Sequence, residues 1–310
     1  MSLKHHYEAF SVYVGYLVYC FWHGHWSEFL RPFQIFAPQR SKEWHQTRYG
    51  RVGASSSGTV LGISPYAGPE HIWQTLFDPG LDPRLWDFPS TEATEHGTRY
   101  EPLAALIYML LTGNLHYDTG LWINPNHALW EHSSPDGVVF ERGGGATTRP
   151  CLFQLADGRW VLVHGGLEIK CPLYKLYENV PAQYLAQMQQ QARTLGLPWV
   201  DFFVYFREGN ECALWRVYYS HEWTEWATKR YELFQSMRSR EQCAREMPCL
   251  AHQMQMLIDT AWDWRAVAQR YRVSVDYLKS HLPNTPVRIE RRWRANLATR
   301  TMQSFEKRTD

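Results

Sequence analysis

Two short motifs, 32 residues apart, carry acidic side chains whose type and spacing suit a metal ion. The motifs read Ser134-Pro135-Asp136-Gly137 and Leu167-Glu168-Ile169-Lys170. Residues i and i+2 of a strand point to the same face, so Glu168 and Lys170 are expected to project together. Leu167 and Ile169 would then turn the other way into a core. A lysine beside a carboxylate makes a poor core but a good setting for a metal ion and a water molecule.

Phosphodiester hydrolysis is the chemistry that this set would serve. It needs a nucleophilic water and a stabilised leaving oxygen, and one or two Mg²⁺ ions held by a few carboxylates supply both. Mg²⁺ prefers hard oxygen ligands and keeps several waters. Asp136, Glu168 and the backbone carbonyl of Ile169 would supply such oxygens. Lys170 would hold or help to deprotonate the attacking water. We therefore expect Mg²⁺ as the cofactor, with Mn²⁺ able to substitute.

Two further polar residues are candidates for the same site. Glu101 would stand at the start of a helix that covers the sheet edge, and Gln187 would lie on a later helix. Each candidate has an ordinary alternative: Asp136 as a turn residue, Glu168 on an exposed strand, Glu101 as a charge at a helix N-terminus and Gln187 on a helix surface. Their order along the chain, together with further motifs, favours a shared site.

The expected elements alternate between helices and strands. Helices are predicted at 54–61, 103–111, 181–195 and 222–247, and strands at 122–124, 138–140, 151–155, 160–163, 167–170, 202–206 and 213–219. This order predicts an α/β sandwich with a mixed sheet.

The bulk composition is that of a globular chain with an uneven charge distribution. Hydrophobic residues make up 45% of the 310 residues, and the net charge is only +1. The stretch from Trp262 to Asp310 nevertheless holds 11 Lys/Arg and 5 Asp/Glu. This basic tail is either a solvated helix or an arm that attracts phosphates.

A pattern of two helices within the tail, from Trp264 to Leu282, resembles a helix-turn-helix, although two ordinary packed helices are the favoured interpretation. Four arginines follow it and could contact DNA phosphates in either case: Arg288, Arg291, Arg292 and Arg294.

The six cysteines fit no zinc or iron–sulfur signature, because none form C-x-x-C. They are predicted to be reduced and mostly buried, as in an intracellular protein. The apolar stretch 10–22 is too short to span a bilayer and lacks a small-residue cleavage site, so we expect a core element there. The expected location is inside the cell, in the nucleus or cytoplasm of the host if the chain is viral, and secretion is not expected.

Five motifs follow one another along residues 41–220. They are Trp44-His45-x-x-Arg48-x-Gly50-x-x-x-Ala54-Ser55, Gly97-x-x-Tyr100-Glu101-Pro102-x-Ala104, Ser133-Ser134-Pro135-Asp136-Gly137, Leu167-Glu168-Ile169-Lys170-Cys171-Pro172 and Tyr184-Leu185-Ala186-Gln187-Met188-Gln189. In this order they resemble the lambda exonuclease and YqaJ-like viral recombinase family. That family belongs to the PD-(D/E)XK nucleases, a superfamily that also includes the herpesvirus-type alkaline nucleases.

The resemblance implies a fold and a role for each matched residue. The fold would be α/β, with a PD-(D/E)XK restriction-endonuclease-like core, a central mixed sheet flanked by helices, and added N- and C-terminal helical segments. The roles would be as follows: Asp136, Glu168 and the Ile169 carbonyl hold Mg²⁺, Glu101 assists a metal, Lys170 serves the water, Gln187 supports the site, and Arg48, Ser55 and Ser134 grip a 5′-terminal phosphate. An arginine fork with hydroxyls is a sensible phosphate pocket, and only a DNA end offers a terminal phosphate.

The leading hypothesis from the sequence is a Mg²⁺-dependent 5′→3′ exonuclease on linear double-stranded DNA. It would leave 3′ single-stranded tails for recombination or viral DNA processing, with a single-strand annealing protein as a candidate partner. The alternatives are an endonuclease or RNA-cleaving host-shutoff nuclease, and a catalytically inactive nucleic-acid-binding protein. No membrane partner is expected, and both a ring-forming trimer and a monomer stay open.

The expected division of the chain is an aromatic N-terminal extension (1–40), a nuclease domain (41–247) and a basic helical C-terminal extension (248–310). The interval between Asp136 and Glu168 is longer than the phage members of the family lead us to expect, and it includes an apparent extra hairpin. A basic residue soon after the Glu-x-Lys motif is expected to help with phosphate, and Lys175 is the nearest candidate.

Overall fold

The computed structural model describes residues 33–35, 51–77, 91–123, 131–142, 150–155 and 159–304. Arg48, the first half of the opening motif and nearly all of the predicted N-terminal extension lie outside these residues.

The described residues form α/β architecture. The helices are α1 (Ala54–Val60), α2 (Pro69–Phe77), α3 (Glu92–Thr112), α4 (Ala182–Leu195), α5 (His221–Ser236), α6 (Arg240–Glu246), α7 (Ala251–Asp259), α8 (Trp264–Tyr271) and α9 (Val275–His281). The strands are β1 (Phe33–Ile35), β2 (Val52–Gly53), β3 (Leu115–Tyr117), β4 (Leu121–Ile123), β5 (Glu131–Ser133), β6 (Gly137–Phe140), β7 (Cys151–Gln154), β8 (Trp160–Val163), β9 (Gly165–Lys170), β10 (Trp199–Phe206), β11 (Glu211–Tyr218), β12 (Ile289–Asn296) and β13 (Thr301–Ser304).

The central sheet is mixed and runs in the order β13-β12-β11-β10-β9-β6-β3. Strand β9 pairs parallel with β10 and antiparallel with β6. In the second pairing Gly137 lies opposite Leu167, and one more step along that register brings Asp136 beside Glu168. The two acidic motifs therefore meet because neighbouring strands carry them.

Both faces of this sheet are covered by helices, because side chains alternate between the two faces along each strand. On one face, Phe202 of β10 belongs to a core shared with helix α4. On the other face, its neighbour Phe203 packs in a second core with Tyr108 of α3. The α/β fold with a central mixed sheet between helices, as predicted from the sequence, is confirmed.

Helix α4 is buried along most of its length. Its residues are good helix formers, Pro181 precedes its first turn, and Gly196 ends it in a left-handed conformation with φ of 67°. Helix α1 approaches it so closely that a Cβ at Gly58 would lie 2.8 Å from the Cα of Gln183. Only glycine allows this approach, which brings the two helix backbones together without a side chain between them.

A second, smaller sheet runs in the order β1-β4-β5-β2. Its strands β2 and β5 are parallel, with Gly53 opposite His132. The side-chain amide of Gln190 on α4 donates to the carbonyls of Val52 (2.9 Å) and His132 (3.1 Å) and so holds both strands. Residues that follow β2 and β5 consequently leave the sheet at the same edge.

The long interval between the two acidic motifs contains a separate antiparallel hairpin, β7-β8, with Gln154 opposite Trp160. The extra hairpin expected from the sequence is thus confirmed. It lies outside the central sheet and leaves the pairing of β6 with β9 undisturbed.

Helix α3 begins earlier than predicted. A capping box at Thr91 and Thr94 starts the helix at Glu92, so Glu101 lies in its middle rather than at its start. Pro102 stands inside the helix and removes one backbone donor, and the helix continues to Thr112. The interpretation of Glu101 as a charge at a helix N-terminus was therefore wrong.

The basic C-terminal extension is helical only in part. Helices cover much of 251–281, but Ile289–Asn296 and Thr301–Ser304 form strands that extend the central sheet. Buried Trp293 and Ala295 alternate with arginines along this strand. Such a two-residue period is typical of a strand, but the strongly basic composition concealed it. Two of the strand arginines are ion-paired rather than free, since Arg294 contacts Glu211 and Arg292 contacts Glu290.

The cysteines within the described residues are free thiols, and most of them are buried. Burial raises the pKa of Cys171, Cys212 and Cys243 to about 12 in each case, which keeps them protonated and unreactive. In the part of the chain that the structure describes, no helix combines the length and apolarity needed to cross a bilayer.

A buried ion pair joins the small sheet to α4 and makes the fold pH-dependent. Arg193 donates to the Glu131 carboxylate at 3.0 Å. Burial and then the charge of this carboxylate raise the pKa of Tyr231. Burial outweighs the arginine and raises the pKa of Glu131 from 4.5 to about 7. The folded state therefore binds this proton more tightly than the unfolded chain, so the stability it contributes is complete below pH 4.5 and is lost as the pH rises through 7.

We predict that Glu131→Gln removes this pH dependence. Relative to the variant, the free energy of unfolding of the wild type should fall by about 3 kcal/mol between pH 4.5 and 8. Urea denaturation of both proteins across that range measures the difference. Parallel pH profiles for the two proteins would show that Glu131 has no raised pKa in the fold.

Candidate active site

The carboxylate of Glu168 is the centre of a cluster of hydrogen bonds. It is only 1% exposed. Lys170 and Gln187 both donate to its Oε1, the latter at 2.7 Å, and Gln191 donates to its Oε2 at 2.6 Å. A carboxylate has about four acceptor positions, so three of them are filled by protein donors. The position and rotation of this side chain are thereby fixed.

The ammonium group of Lys170 lies beside Glu168 on the same face of β9, as the strand alternation predicts. It also stands 5.2 Å from the centre of the Tyr184 ring. Burial disfavours its charge, but Glu168 and Asp136 outweigh burial and raise the pKa of Lys170 above its usual value. Lys170 is therefore a cation here, and it neutralises part of the negative charge that the carboxylates bring together.

Asp136 is fixed against the backbone of β9. The N–H of Ile169 donates to its Oδ2 at 2.7 Å, which ties the first acidic motif to the second. Burial, followed by repulsion from Glu168, raises the pKa of Asp136 well above its usual value. A smaller contribution in the same direction comes from Glu101, so the mid-helix glutamate of α3 lies within electrostatic reach of the pair.

These groups fit a hard divalent cation. Mg²⁺ is usually held by one or two carboxylates and several waters rather than by a cage of side chains. Within the described residues no three His, Cys, Asp or Glu side chains form such a cage, whereas Asp136 and Glu168 lie on neighbouring strands with Glu101 nearby. Crowded carboxylates that repel one another are the arrangement that a bound cation would relieve.

Helix α4 supplies Gln191, a residue beside Glu168 that was not predicted from the sequence. Gln187 was singled out, with a surface position as its alternative, but it is buried, at 8% exposure. Gln191 follows it by one helical turn and bonds the other oxygen of the same carboxylate. The spacing of i and i+4 on one helix face was the available signal, and it was hidden in a run of similar glutamines.

The two serines predicted to grip phosphate are brought to one edge of the small sheet. Ser55 is exposed in the first turn of α1, directly after β2, and Ser134 directly follows β5. Since β2 and β5 are parallel and adjacent, both serines leave the sheet side by side. Ser134 is two residues from Asp136, so this edge adjoins the acidic cluster. Lys175 is exposed on the loop after β9.

The sequence matches the family model described as the YqaJ-like viral recombinase domain over residues 43–197. The chain belongs to this family. The family predicted from the ordered motifs is thereby confirmed, and membership supports the general assignment of the chain as a nuclease.

Comparison with solved structures finds an alkaline exonuclease, LHK-Exo, from Laribacter hongkongensis. It is 22% identical, with 71% of this chain and 98% of that chain covered and a TM-score of 0.47. The same enzyme in complex with dAMP gives a TM-score of 0.48 at the same identity and coverage. None of the curated proteins matches the sequence at a significant level.

We predict that Gln191 orients Glu168 for the nuclease reaction. Gln191→Leu roughly keeps the volume of the side chain but removes the donor to Oε2. Turnover should therefore fall by ~10- to 100-fold, the usual effect of removing a group that orients a metal ligand. Gln189→Leu is the matched control, because Gln189 lies on the same buried helix but bonds the Tyr218 carbonyl and the Ser220 N–H. Steady-state cleavage and thermal unfolding should be measured for both variants. Equal losses of turnover in the two would contradict an orienting role.

Proposed function

We propose that this protein is a Mg²⁺-dependent deoxyribonuclease that degrades linear double-stranded DNA from its 5′ ends. The observation that supports this most is the bond from the Ile169 N–H to Asp136, because it joins the two acidic motifs into one cluster beside Lys170. Two carboxylates and a lysine on adjacent strands are the groups that metal-assisted phosphodiester hydrolysis needs.

Asp136, Glu168 and the Ile169 carbonyl would hold the metal, with Glu101 assisting. When bound, the metal would polarise the scissile phosphate and lower the pKa of a water. Lys170 would orient the attacking water and offset the charge on the phosphate. Gln187 and Gln191 would keep Glu168 in place through their bonds to its two oxygens. Tyr184 would shield one side of the Lys170 ammonium.

Preference for DNA ends would come from the edge of the small sheet. Ser55 and Ser134, with Arg48, would bind a 5′-terminal phosphate next to the acidic cluster. A phosphate anchored there would position the first phosphodiester bond near Asp136. Removal of 5′ nucleotides would leave 3′ single-stranded tails, the substrate of a single-strand annealing protein.

The catalytic assignment is tested by substituting Glu168 and Lys170. Glu168→Gln and Lys170→Ala should each lower DNA cleavage by at least about a hundredfold while the protein stays folded. EDTA should abolish wild-type cleavage, and added Mg²⁺ should restore it. Lys229→Ala, an exposed lysine on α5, is the control and should cleave normally. Full cleavage by folded Lys170→Ala would overturn the assigned mechanism.

End recognition is tested with three forms of one duplex: 5′-phosphorylated linear, 5′-hydroxyl linear and closed circular. The phosphorylated linear form should be degraded fastest and the circle not at all. Ser55→Ala should reduce the advantage of the 5′ phosphate by roughly tenfold, because it removes one hydrogen bond to a charged group. Ser236→Ala, an exposed serine on α5, should leave that advantage unchanged. Preference for the circle, or for RNA of the same sequence, would refute the proposal.

A further inference from the structure

Helices α8 and α9 form a compact helix-turn-helix. Asp263 caps the first helix by accepting from the N–H groups of Arg265 and Ala266. Ser274 caps the second by accepting from the Tyr277 N–H at 3.0 Å. Two residues alone, Arg272 and Val273, separate the first helix from the cap of the second. Such a short connection fixes the angle between the helices, which distinguishes this motif from two helices joined by a loose loop.

The turn depends on one left-handed residue. Arg272 has φ of 54° and ψ of 43°, and its N–H donates to the carbonyl of Ala268 at the end of α8. Val273 also donates to Ala268, at 3.1 Å. Glycine adopts this conformation with little cost, whereas a side chain costs roughly 1 kcal/mol. A long cation therefore occupies a strained, exposed position where a glycine would fold more easily.

The inner face of the motif is fixed to the body of the protein. Val267, Leu278 and Leu282 are buried in the same core as helix α4. The indole N–H of Trp226 on α5 donates to the carbonyl of His281 at the end of α9. The motif is therefore held rigidly on the domain that carries the acidic cluster, and its outer face is exposed in the part of the chain that the structure describes.

The outer face carries cations without acidic partners. Arg265, Arg270, Arg272 and Lys279 are exposed, and among the described residues none of them has a carboxylate within ion-pair distance. By contrast, Arg292 and Arg294 on β12 are paired with glutamates. Asp276 is an acidic residue on this face, but the four cations outnumber it, so the net charge of the face stays positive. Exposed Tyr277 and Ser280 add hydrogen-bonding groups to α9.

We propose that α8 and α9 form a second DNA-contacting surface, which binds duplex DNA with α9 in the major groove. The first helix of such a motif crosses the phosphate backbone, where Arg265, Arg270 and Arg272 would contact phosphates. The major groove admits an α-helix, so Tyr277, Lys279 and Ser280 of α9 would face base edges. The choice of duplex DNA rests on the proposed function. This surface shares no residue with the acidic cluster and would retain the duplex while its end is cleaved.

The test is DNA binding by the full chain in EDTA, so that cleavage plays no part. Fluorescence anisotropy with a labelled duplex of about two helical turns should be followed over a range of salt concentrations. The double variant R272G/K279Q should bind about tenfold more weakly, and its salt slope should fall by about one phosphate contact, that of Arg272. Glycine suits the left-handed position, so R272G should fold at least as stably as the wild type.

R245Q is the control, because Arg245 on α6 is an exposed arginine outside the motif, where it contacts Glu246. It should bind as the wild type does. Unchanged duplex affinity in R272G/K279Q, or an equal loss in R245Q, would overturn the inference. So would wild-type binding to single-stranded DNA or duplex RNA as tight as to duplex DNA, because the deep, narrow major groove of RNA excludes a helix.

Cleavage with Mg²⁺, measured separately, distinguishes the two proposals. If the wild type cleaves DNA and R272G/K279Q binds duplex DNA as tightly as the wild type, the DNA-contacting surface is overturned and the nuclease function stands. If R272G/K279Q selectively loses duplex binding and the wild type cleaves no DNA, the DNA-contacting surface is supported and the nuclease function is overturned.

Discussion

The burial of helix α4 is the constraint on which the rest of the structure depends. The helix lies between the central sheet, α1 and α5, so the polar side chains from 187 to 193 are buried away from water. A buried polar group without a partner costs about 1–3 kcal/mol, and α4 carries four glutamines and an arginine in the stretch 187–193. Each of them must therefore find a partner inside the protein, and those partners determine what the helix holds together.

The bonds of these glutamines reach three different parts of the fold. Gln187 and Gln191 fix the carboxylate of Glu168 on the central sheet. Gln190 fixes strands β2 and β5, which lead to Ser55 and Ser134. Gln189 bonds the end of β11 and the start of α5. One helix thus sets the spacing between the acidic cluster and the serine-bearing edge. Under the proposed function, this spacing decides where a DNA end would lie relative to the acidic cluster.

Several charged side chains of the described residues lie beside a group of opposite charge. Inside the protein, Lys170 is paired with Glu168, and Arg216 forms a fork with Asp201. On β12, Arg292 and Arg294 are paired with glutamates of the sheet. The exposed cations Arg265, Arg270, Arg272 and Lys279 differ from these pairs, since no carboxylate of the described residues lies within ion-pair distance of them. A net charge of +1 therefore says little about where this protein would attract phosphate.

The sequence by itself determined the family, the acidic cluster and most of the elements. Strand periodicity put Glu168 and Lys170 on one face, and the order of motifs made Asp136 their neighbour, because these signals are local and survive without a fold. Glu101 was found as a candidate, but its place in the middle of α3 depended on a cap ten residues earlier at Thr91. The residues around Arg48 lie outside the described structure, so its role stays a prediction.

Only the tertiary structure decided which polar residues are internal. A helix rich in glutamine has the composition of a surface helix, and nothing in its own sequence shows that a sheet and two helices enclose it. The same holds for β12, for which the basic composition left open a solvated helix or a phosphate-attracting arm, whereas its pairing with β11 makes it a strand. Burial and strand pairing are properties of contacts between distant segments, and a single sequence records them only through periodicities that polar composition can conceal.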